Sequence, residues 1–365
     1  MLALAQRAHC IPPRVHYIES ISLPLELNDF SEIIDVRSPS EFAVDHIPGA
    51  TNLPVLSDEE RMRVGKLYKQ SPFEARRLGA ALISVNAGNH LLNHLSGKPA
   101  DYTPLLYCWR GGMRSRSFTH ILSSIGWEAK VLDGGYRAFR KFLVEDLAQQ
   151  LNAPSLKIVV LSGLTGVGKT RMLQALKNCG QQILDLEHLA NHKGSLLGDP
   201  TTGCQPSQKE FETKLWHTLS NFDQSQIIWT EAESNRIGKV HCPPALWQKL
   251  SSATVVQLEL PVEERIRLLK QDYPHFSDSP ESLIELLQAL RRLRGNQQVD
   301  QWQDAIKNND WDAFLRSILI DHYDLSYRQP GEEGSIYQAP KHALPIKSIL
   351  EEDFLDGANQ LIKQF

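Results

Sequence analysis

The chain has 365 residues, 41% apolar and 22% charged, the balance of a soluble globular protein with room for two or three domains. The formal charge of −4 excludes a globally basic nucleic-acid binder, so any RNA surface has to be a local patch. No apolar run reaches the about 18 residues that span a bilayer, and residues 1–13 carry one short apolar patch without a signal-peptide pattern, so the cytoplasm is the expected location.

In chain order, the first half alternates short apolar runs with turns and helical patterns, which predicts an α/β domain. Ile33 to Val36 reads as a buried strand with Asp35 near its end. Leu105 to Tyr107 reads as a second, ending at Cys108, and Lys130 to Leu132 as a third, ending at Asp133-Gly134-Gly135. Residues 57–100 form an insertion, expected to be helical and rich in Arg and Lys. A helix is predicted over Tyr136 to Leu151, and Asn152-Ala153-Pro154-Ser155 breaks it. The second half repeats the α/β logic, with strands expected at 157–162, 181–185, 226–230 and 254–260. Helices are expected at 281–294, 300–317 and 347–363, and a Pro/Gly-rich loop from Gln329 to Pro345. The domains read as 15–145, a parallel-sheet domain over 153–280, and a mainly helical region over 281–365.

The five cysteines, at 10, 108, 179, 204 and 242, are odd in number and show no metal or redox spacing, which argues against a disulfide framework. Cys108 stands apart. It follows a buried strand and opens Cys108-Trp109-Arg110-Gly111-Gly112-Met113-Arg114-Ser115 before a helical pattern. The glycines let successive amides point inward as an anion nest. The following helix adds its positive end, and Arg114 a guanidinium. Such surroundings favour a nucleophilic thiolate and a negatively charged adduct on sulfur.

Two further motifs accompany this loop, Asp35-Val-Arg37-Ser-Pro-Ser-Glu41-Phe42 with His46-Ile-Pro-Gly49, and Leu132-Asp133-Gly134-Gly135-Tyr136. With the cysteine loop they resemble the rhodanese family over about residues 15 to 145. The resemblance implies sulfur or selenium carried on Cys108, with Asp35, Arg110 and Arg114 in the site. The spacing Cys108-x5-Arg114 departs from it, being one residue longer than in common sulfur-carrying rhodaneses. It fits the C-x5-R loop of tyrosine and dual-specificity phosphatases. A C-x5-R phosphatase fused to a kinase-like P-loop domain is therefore the alternative reading.

Val159-Val-Leu-Ser162 leads into Gly163-Leu-Thr-Gly166-Val-Gly168-Lys169-Thr170, a phosphate-binding loop between a strand and a helix. Its amides are expected to cradle a di- or triphosphate, with Lys169 on the terminal phosphate and Thr170 on Mg²⁺. Glu231 and Glu233, after the 226–230 strand, are candidates for the acid near the metal or its water. Asp185, at the tip of the second strand, is a candidate for the acid at an acceptor.

A rhodanese-like domain joined to a P-loop domain resembles the tRNA 2-selenouridine synthase family across essentially the whole chain. Gly65-Lys66-Leu67-Tyr68-Lys69-Gln70, the run from Asp185 to Ser195, Gln205-Pro-Ser-Gln208 and Glu231-Ala-Glu233-Ser234-Asn-Arg236-Ile-Gly238 also match. The resemblance implies replacement of the 2-thio sulfur of wobble 5-methylaminomethyl-2-thiouridine by selenium from selenophosphate. It also implies a geranylated intermediate made with geranyl diphosphate. The expected partners are that tRNA and an enzyme supplying selenophosphate; no membrane is expected. For tRNA, the local basic clusters are the candidates: Arg63, Lys66 and Lys69 in the insertion, and Arg291, Arg292 and Arg294 further on.

Overall fold

The computed structural model describes residues 18–192, 204–272, 280–327 and 329–365. Cys10, residues 15–17 and the segment Lys193-Gly194-Ser195 lie outside them. The chain divides into two compact units, 1–144 and 145–365.

In the first unit β1 (Glu19–Ile21), β2 (Glu32–Asp35), β3 (Thr51–Asn52), β4 (Pro104–Tyr107) and β5 (Lys130–Leu132) form a parallel sheet in the order β1-β5-β4-β2-β3. All four residues of β4 are buried. That is why the segment reads as an unbroken apolar run: helices cover both faces of a parallel sheet. The helices are α1 (Pro39–Val44), α2 (Asp58–Gln70), α3 (Pro72–Leu92), α4 (Met113–Ile125) and α5 (Gly135–Asn152), within which the division between units falls.

The insertion is thus a helical hairpin. Ser57 and Glu60 cap the start of α2 reciprocally, the Glu60 amide donating to Ser57 Oγ at 3.2 Å and the Ser57 amide to the Glu60 carboxylate at 2.8 Å. α2 buries none of its residues. α3 presents Ala75, Gly79, Ile83 and Ala87 to the interior, and Val64 of α2 fits against Gly79.

In the second unit the strands are β6 (Lys157–Ser162), β7 (Gln182–Leu184), β8 (Ile227–Glu231), β9 (Arg236–Ile237), β10 (Val240–His241), β11 (Thr254–Glu259) and β12 (His342–Pro345). Five of them make a parallel sheet in the order β12-β11-β6-β8-β7, and β9 and β10 pair as a hairpin. The helices are α6 (Lys169–Asn178), α7 (Leu186–Ala190), α8 (Gln208–Ser220), α9 (Pro244–Ser251), α10 (Val262–Asp272), α11 (Pro280–Leu287), α12 (Arg291–Arg294), α13 (Asn296–Lys307), α14 (Trp311–Ile318) and α15 (Glu351–Gln364). The α/β class and the parallel sheets agree with the sequence reading.

Three local expectations are corrected. The loop expected over Gln329 to Pro345 ends in β12, which pairs with β11 from His342 to Pro345. Four residues carry no period of their own, and Pro345 suits an edge strand, where a missing donor costs no ladder bond. The helix expected over 300–317 breaks between α13 and α14, where Asn309 takes φ +57°. The helix expected over 281–294 is interrupted by a tighter turn at Gln288–Leu290.

β12 and α15 complete the core of the P-loop sheet. Leu344, Phe354, Ala358 and Leu361 pack with Val159, Leu161, Met172, Leu176 and Trp229. Leu283, Leu287, Val299, Trp302, Phe314 and Ile318 form a separate helical cluster. Phe354 is 2% exposed, and its ring stands 2.6 Å from where a Cβ on Gly168 would be. Phe354→Ala is therefore expected to destabilise the second unit by about 3–5 kcal/mol, read as a lower denaturant midpoint with unchanged slope.

Candidate functional site

Cys108 leaves the carboxyl end of β4, and its Sγ accepts from the Gly112 amide at 3.2 Å and from the Ser115 hydroxyl at 3.3 Å. Gly111 turns the loop with φ +63°. The Asp133-Gly134-Gly135 turn lies directly against it: the Tyr136 amide donates to the Cys108 carbonyl at 2.9 Å and the Arg137 amide to the Trp109 carbonyl at 3.0 Å. A Cβ on Gly135 would stand 2.2 Å from the Cys108 carbonyl, so only glycine fits.

Arg114 is held by a carboxylate. Its guanidinium donates to Glu41 at 2.7 Å, and Arg61 of α2 reaches the same carboxylate at 2.9 Å. Burial works against ionising Glu41, but the hydrogen bond and charge of Arg114, helped by Arg61, hold its carboxyl below the ordinary value. Arg110 is exposed on the loop. Asp35 is fully buried, and Arg37 spans both its oxygens at 2.6–3.0 Å. Arg37 continues to the Asp45 carbonyl and lies 4.0 Å from the Tyr136 ring centroid. Asp35 and Arg37 thus brace the floor of the site through Tyr136. Glu41, whose role did not stand out in the sequence, is what orders the arginines.

In the second unit, β6 passes into the phosphate loop with Gly163, Gly166 and Gly168 at φ +149°, +76° and +86°. Gly168 caps α6, so the helix presents its positive end to the loop. Lys169 Nζ lies 3.5 Å from the Gly163 carbonyl, Thr170 is exposed, and the Gly163 amide donates to the Tyr327 hydroxyl at 3.1 Å. The loop opens on a cavity of about 900 Å³ whose lining includes Asp185, Glu187, Glu233 and Tyr337. Trp247, Leu268, Leu269 and Ile336 give it apolar wall as well.

The carboxyls beside Lys169 are crowded and dry. Glu231 is 2% exposed; one of its oxygens accepts from the Glu187 amide at 2.9 Å, and the other has no hydrogen-bond partner among the described residues. Burial, then the nearby Asp185 and Glu233, push Glu231 well above the ordinary carboxyl value. Burial and the Glu233 charge push Glu187 up to about 8, and its carboxyl hydrogen-bonds Glu233, which burial also raises. Three carboxyls so placed cannot all ionise, even with Lys169 near. Asp185 accepts from the His188 amide at 2.8 Å and so caps α7. Among the described residues, no three acids, histidines or cysteines are grouped to hold a metal ion by themselves. Cys242, beside Glu233 and Glu231, has its thiol pushed up to about 12, mainly by burial, which makes it an inert core residue.

Glu187, Tyr327 and Tyr337 were not singled out in the sequence. The Glu187 segment showed only as a shared run, and no local signal ties Tyr327 or Tyr337 to a phosphate loop more than 150 residues away. Tyr337 accepts from the Glu233 amide at 2.9 Å and donates to the Glu233 carbonyl at 2.6 Å. The basic candidates separate by environment. Arg63, Lys66 and Lys69 are exposed on α2, and Arg292 is exposed on α12. Arg291 is held by Asp300 at 2.7 Å, and Arg294 by His322 at 3.0 Å.

The raised carboxyls set a pH dependence with a definite sign. Between pH 4.5 and about 8, folded Glu187 keeps a proton that the unfolded chain releases, so stability falls as pH rises through that window. Glu187→Gln is expected to lose less stability than the parent between pH ~5 and ~8, measured as denaturant midpoints of the second unit. Identical losses in both proteins would contradict this.

Comparison with known proteins bears on both units. The rhodanese-like domain family matches residues 22–142, and the family described as the tRNA 2-selenouridine synthase AAA domain matches residues 156–309. A tRNA 2-selenouridine synthase of Marinobacter nauticus is 38% identical over 340 residues, covering 84% of this chain and 89% of that protein. Those of Hydrogenovibrio crunogenus and Alcanivorax borkumensis are each 33% identical, over 322 and 341 residues. They cover 81% and 84% of this chain, and 88% and 90% of their own length. With both units matched and nearly the whole of each relative spanned, the chain belongs to the tRNA 2-selenouridine synthase family.

Proposed function

We propose that this chain exchanges the 2-thio sulfur of wobble 5-methylaminomethyl-2-thiouridine in tRNA for selenium, with selenophosphate as the selenium source and a geranylated intermediate. One observation carries the reading: a single chain holds a cysteine whose sulfur accepts from a loop amide and a hydroxyl, and a glycine-rich loop that opens on a partly apolar cavity. The chemistry needs both. A thiocarbonyl sulfur leaves poorly. Attack of that sulfur on the first carbon of geranyl diphosphate forms a C–S bond and releases diphosphate, and the base loses its N3 proton. The thioether then departs as geranyl thiol when a selenium nucleophile attacks C2.

In this reading the selenium stays at the selenide level of selenophosphate and is delivered at Cys108. It attacks C2 as geranyl thiol leaves, and water then takes the phosphoryl group as phosphate. The Gly112 amide and Ser115 hydroxyl fix the Cys108 sulfur beside the donor. Arg110 and Arg114 attract the anionic selenium donor, and Asp35 acts from below by fixing Arg37 and Tyr136. Gly163, Gly166, Gly168 and Lys169 hold the diphosphate, while Trp247, Leu268 and Ile336 suit a prenyl chain better than a nucleobase edge. Mg²⁺ fits this site together with bound phosphates. Thr170 and the Glu231–Glu233 pair would hold it, the unpartnered Glu231 oxygen being a donor without a task, and it would neutralise the leaving diphosphate. The reaction suits a cytoplasmic protein acting downstream of an enzyme that makes selenophosphate. The family match over both units supports the selenouridine reading over the phosphatase alternative.

Incubation with thiolated tRNA, geranyl diphosphate and selenophosphate, followed by nucleoside mass analysis, tests the scheme. Cys108→Ala is expected to abolish selenouridine while still accumulating geranyl-thiouridine; Lys169→Ala is expected to suppress both. Full selenouridine from the cysteine variant would remove Cys108 from the chemistry, and undiminished geranyl-thiouridine from the lysine variant would remove the P-loop as donor site.

For tRNA, the exposed Arg63, Lys66 and Lys69 on α2 and Arg292 on α12 are the proposed phosphate ligands. Arg291 and Arg294 hold α12 itself in place through Asp300 and His322. The Arg63→Ala, Lys66→Ala, Lys69→Ala triple variant should flatten the log–log salt dependence of tRNA binding by about 0.7–0.9 for every phosphate it no longer neutralises. A salt titration that superimposes on the parent's would take α2 off the RNA surface.

A further inference from the structure

Two tyrosines line the cavity of the phosphate loop, and their hydroxyls are used differently. Tyr337 is satisfied both ways: it accepts from the Glu233 amide at 2.9 Å and donates to the Glu233 carbonyl at 2.6 Å. Tyr327 is satisfied on one side. Its hydroxyl accepts from the Gly163 amide at 3.1 Å, and its proton meets no acceptor among the described residues. A phenol so placed has its position fixed by the bond it accepts and one donor left over.

That donor sits at the phosphate end of the cavity. Tyr327 shares the lining with Gly166, Gly168, Lys169 and Thr170. Gly163 is where Tyr327 and Lys169 meet: the phenol takes its amide, and Lys169 Nζ lies 3.5 Å from its carbonyl. In a loop of this pattern the lysine reaches the terminal phosphate. The Tyr327 proton is therefore held next to the group that meets that phosphate.

The placement is built into the packing. Arg265, 4% exposed, donates through Nε to the Thr165 carbonyl inside the phosphate loop at 2.8 Å. Its two terminal nitrogens span the Asp324 carboxylate at 3.0 and 2.6 Å. Asp324 lies just before Tyr327, whose amide closes a helical turn on the Tyr323 carbonyl at 2.9 Å. One buried guanidinium thus ties the loop to the turn that carries the phenol. A bidentate pair fixes angle as well as distance, so the hydroxyl keeps its place relative to the loop.

We propose that Tyr327 donates a hydrogen bond to the terminal phosphate of the diphosphate held in this loop, and that this bond strengthens as the diphosphate leaves. The proposal deepens the reading that the loop holds the prenyl donor, and rests on it. When the thiocarbonyl sulfur attacks the first prenyl carbon, the C–O bond breaks and its electron pair stays on the diphosphate. The added negative charge spreads over the phosphate oxygens. A neutral donor already fixed beside Lys169 gains from that charge without giving up its proton.

The test titrates the full chain with inorganic diphosphate at constant Mg²⁺ and follows single-turnover geranylation of thiolated tRNA. Tyr327→Phe keeps the ring and removes the donor. Diphosphate is expected to bind about ten- to a hundredfold more weakly, and geranyl transfer to slow at saturating geranyl diphosphate. The same substitution strips the Gly163 amide of its acceptor, so a second one separates the two roles. Difluorotyrosine in place of Tyr327 is a stronger donor and a weaker acceptor than tyrosine while it stays protonated. A contact to phosphate then tightens diphosphate binding beyond the parent's; a role confined to the Gly163 amide loosens it. Unchanged affinity in Tyr327→Phe, or binding no tighter than the parent's with the fluorinated residue, overturns the proposal. The underlying reading fails separately. Undiminished geranyl-thiouridine from Lys169→Ala would remove the prenyl donor from the loop, while the diphosphate titration would still decide whether Tyr327 touches phosphate.

Discussion

At Cys108, and again at Gly163, a strand buried on both faces ends, and the chain must turn its amides toward a ligand instead of a neighbouring strand. Side chains obstruct such a turn. In the first unit the room comes from the Asp133-Gly134-Gly135 corner, where the missing Cβ of Gly135 leaves space for the Cys108 carbonyl and the Gly111 amide. Cys108, Gly111 and Trp109 all take their places from that backbone packing. In the second unit Gly168 does the same against Phe354, so a helix near the end of the chain supports the phosphate loop.

The two units handle buried charge in opposite ways. Around Cys108 two carboxylates are matched by guanidiniums: Arg37 for Asp35, Arg114 and Arg61 for Glu41. Such pairs keep the arginines oriented before any substrate arrives, and their contribution is geometric more than energetic. Beside the phosphate loop, desolvation raises Glu187, Glu231 and Glu233, and the Lys169 ammonium offsets this only at Glu187 and Glu233. Carboxyls so arranged resist ionisation and gain from a cation arriving with an anionic ligand.

The helical hairpin α2–α3 ties the insertion to the cysteine site by ordinary polar bonds. Asp58 at the start of α2 accepts from the Ser40 amide at 3.2 Å, and Arg61 reaches Glu41. Gly79 of α3 leaves room for Val64 of α2, whose basic residues stay in solvent. A net charge of −4 is therefore compatible with a local basic face beside Cys108.

Much was written in the sequence itself, because it depends on interactions along the chain. Unbroken apolar runs gave the buried parallel strands, glycine spacing gave the turns of both loops that follow them, and a Ser-x-x-Glu start capped α2. What only the tertiary structure decided depends on pairs far apart in sequence. Four residues at 342–345 became an edge strand because β11 offered an open ladder. Asp35 and Glu41 became braces because arginines face them. Arg291 and Arg294 turned inward to Asp300 and His322 while Arg292 stayed in solvent. Tyr327 reached Gly163 across 164 positions. Local sequence states which groups are present and how the backbone bends near them; which group neutralises, buries or exposes another is set by packing, and no short window of residues records it.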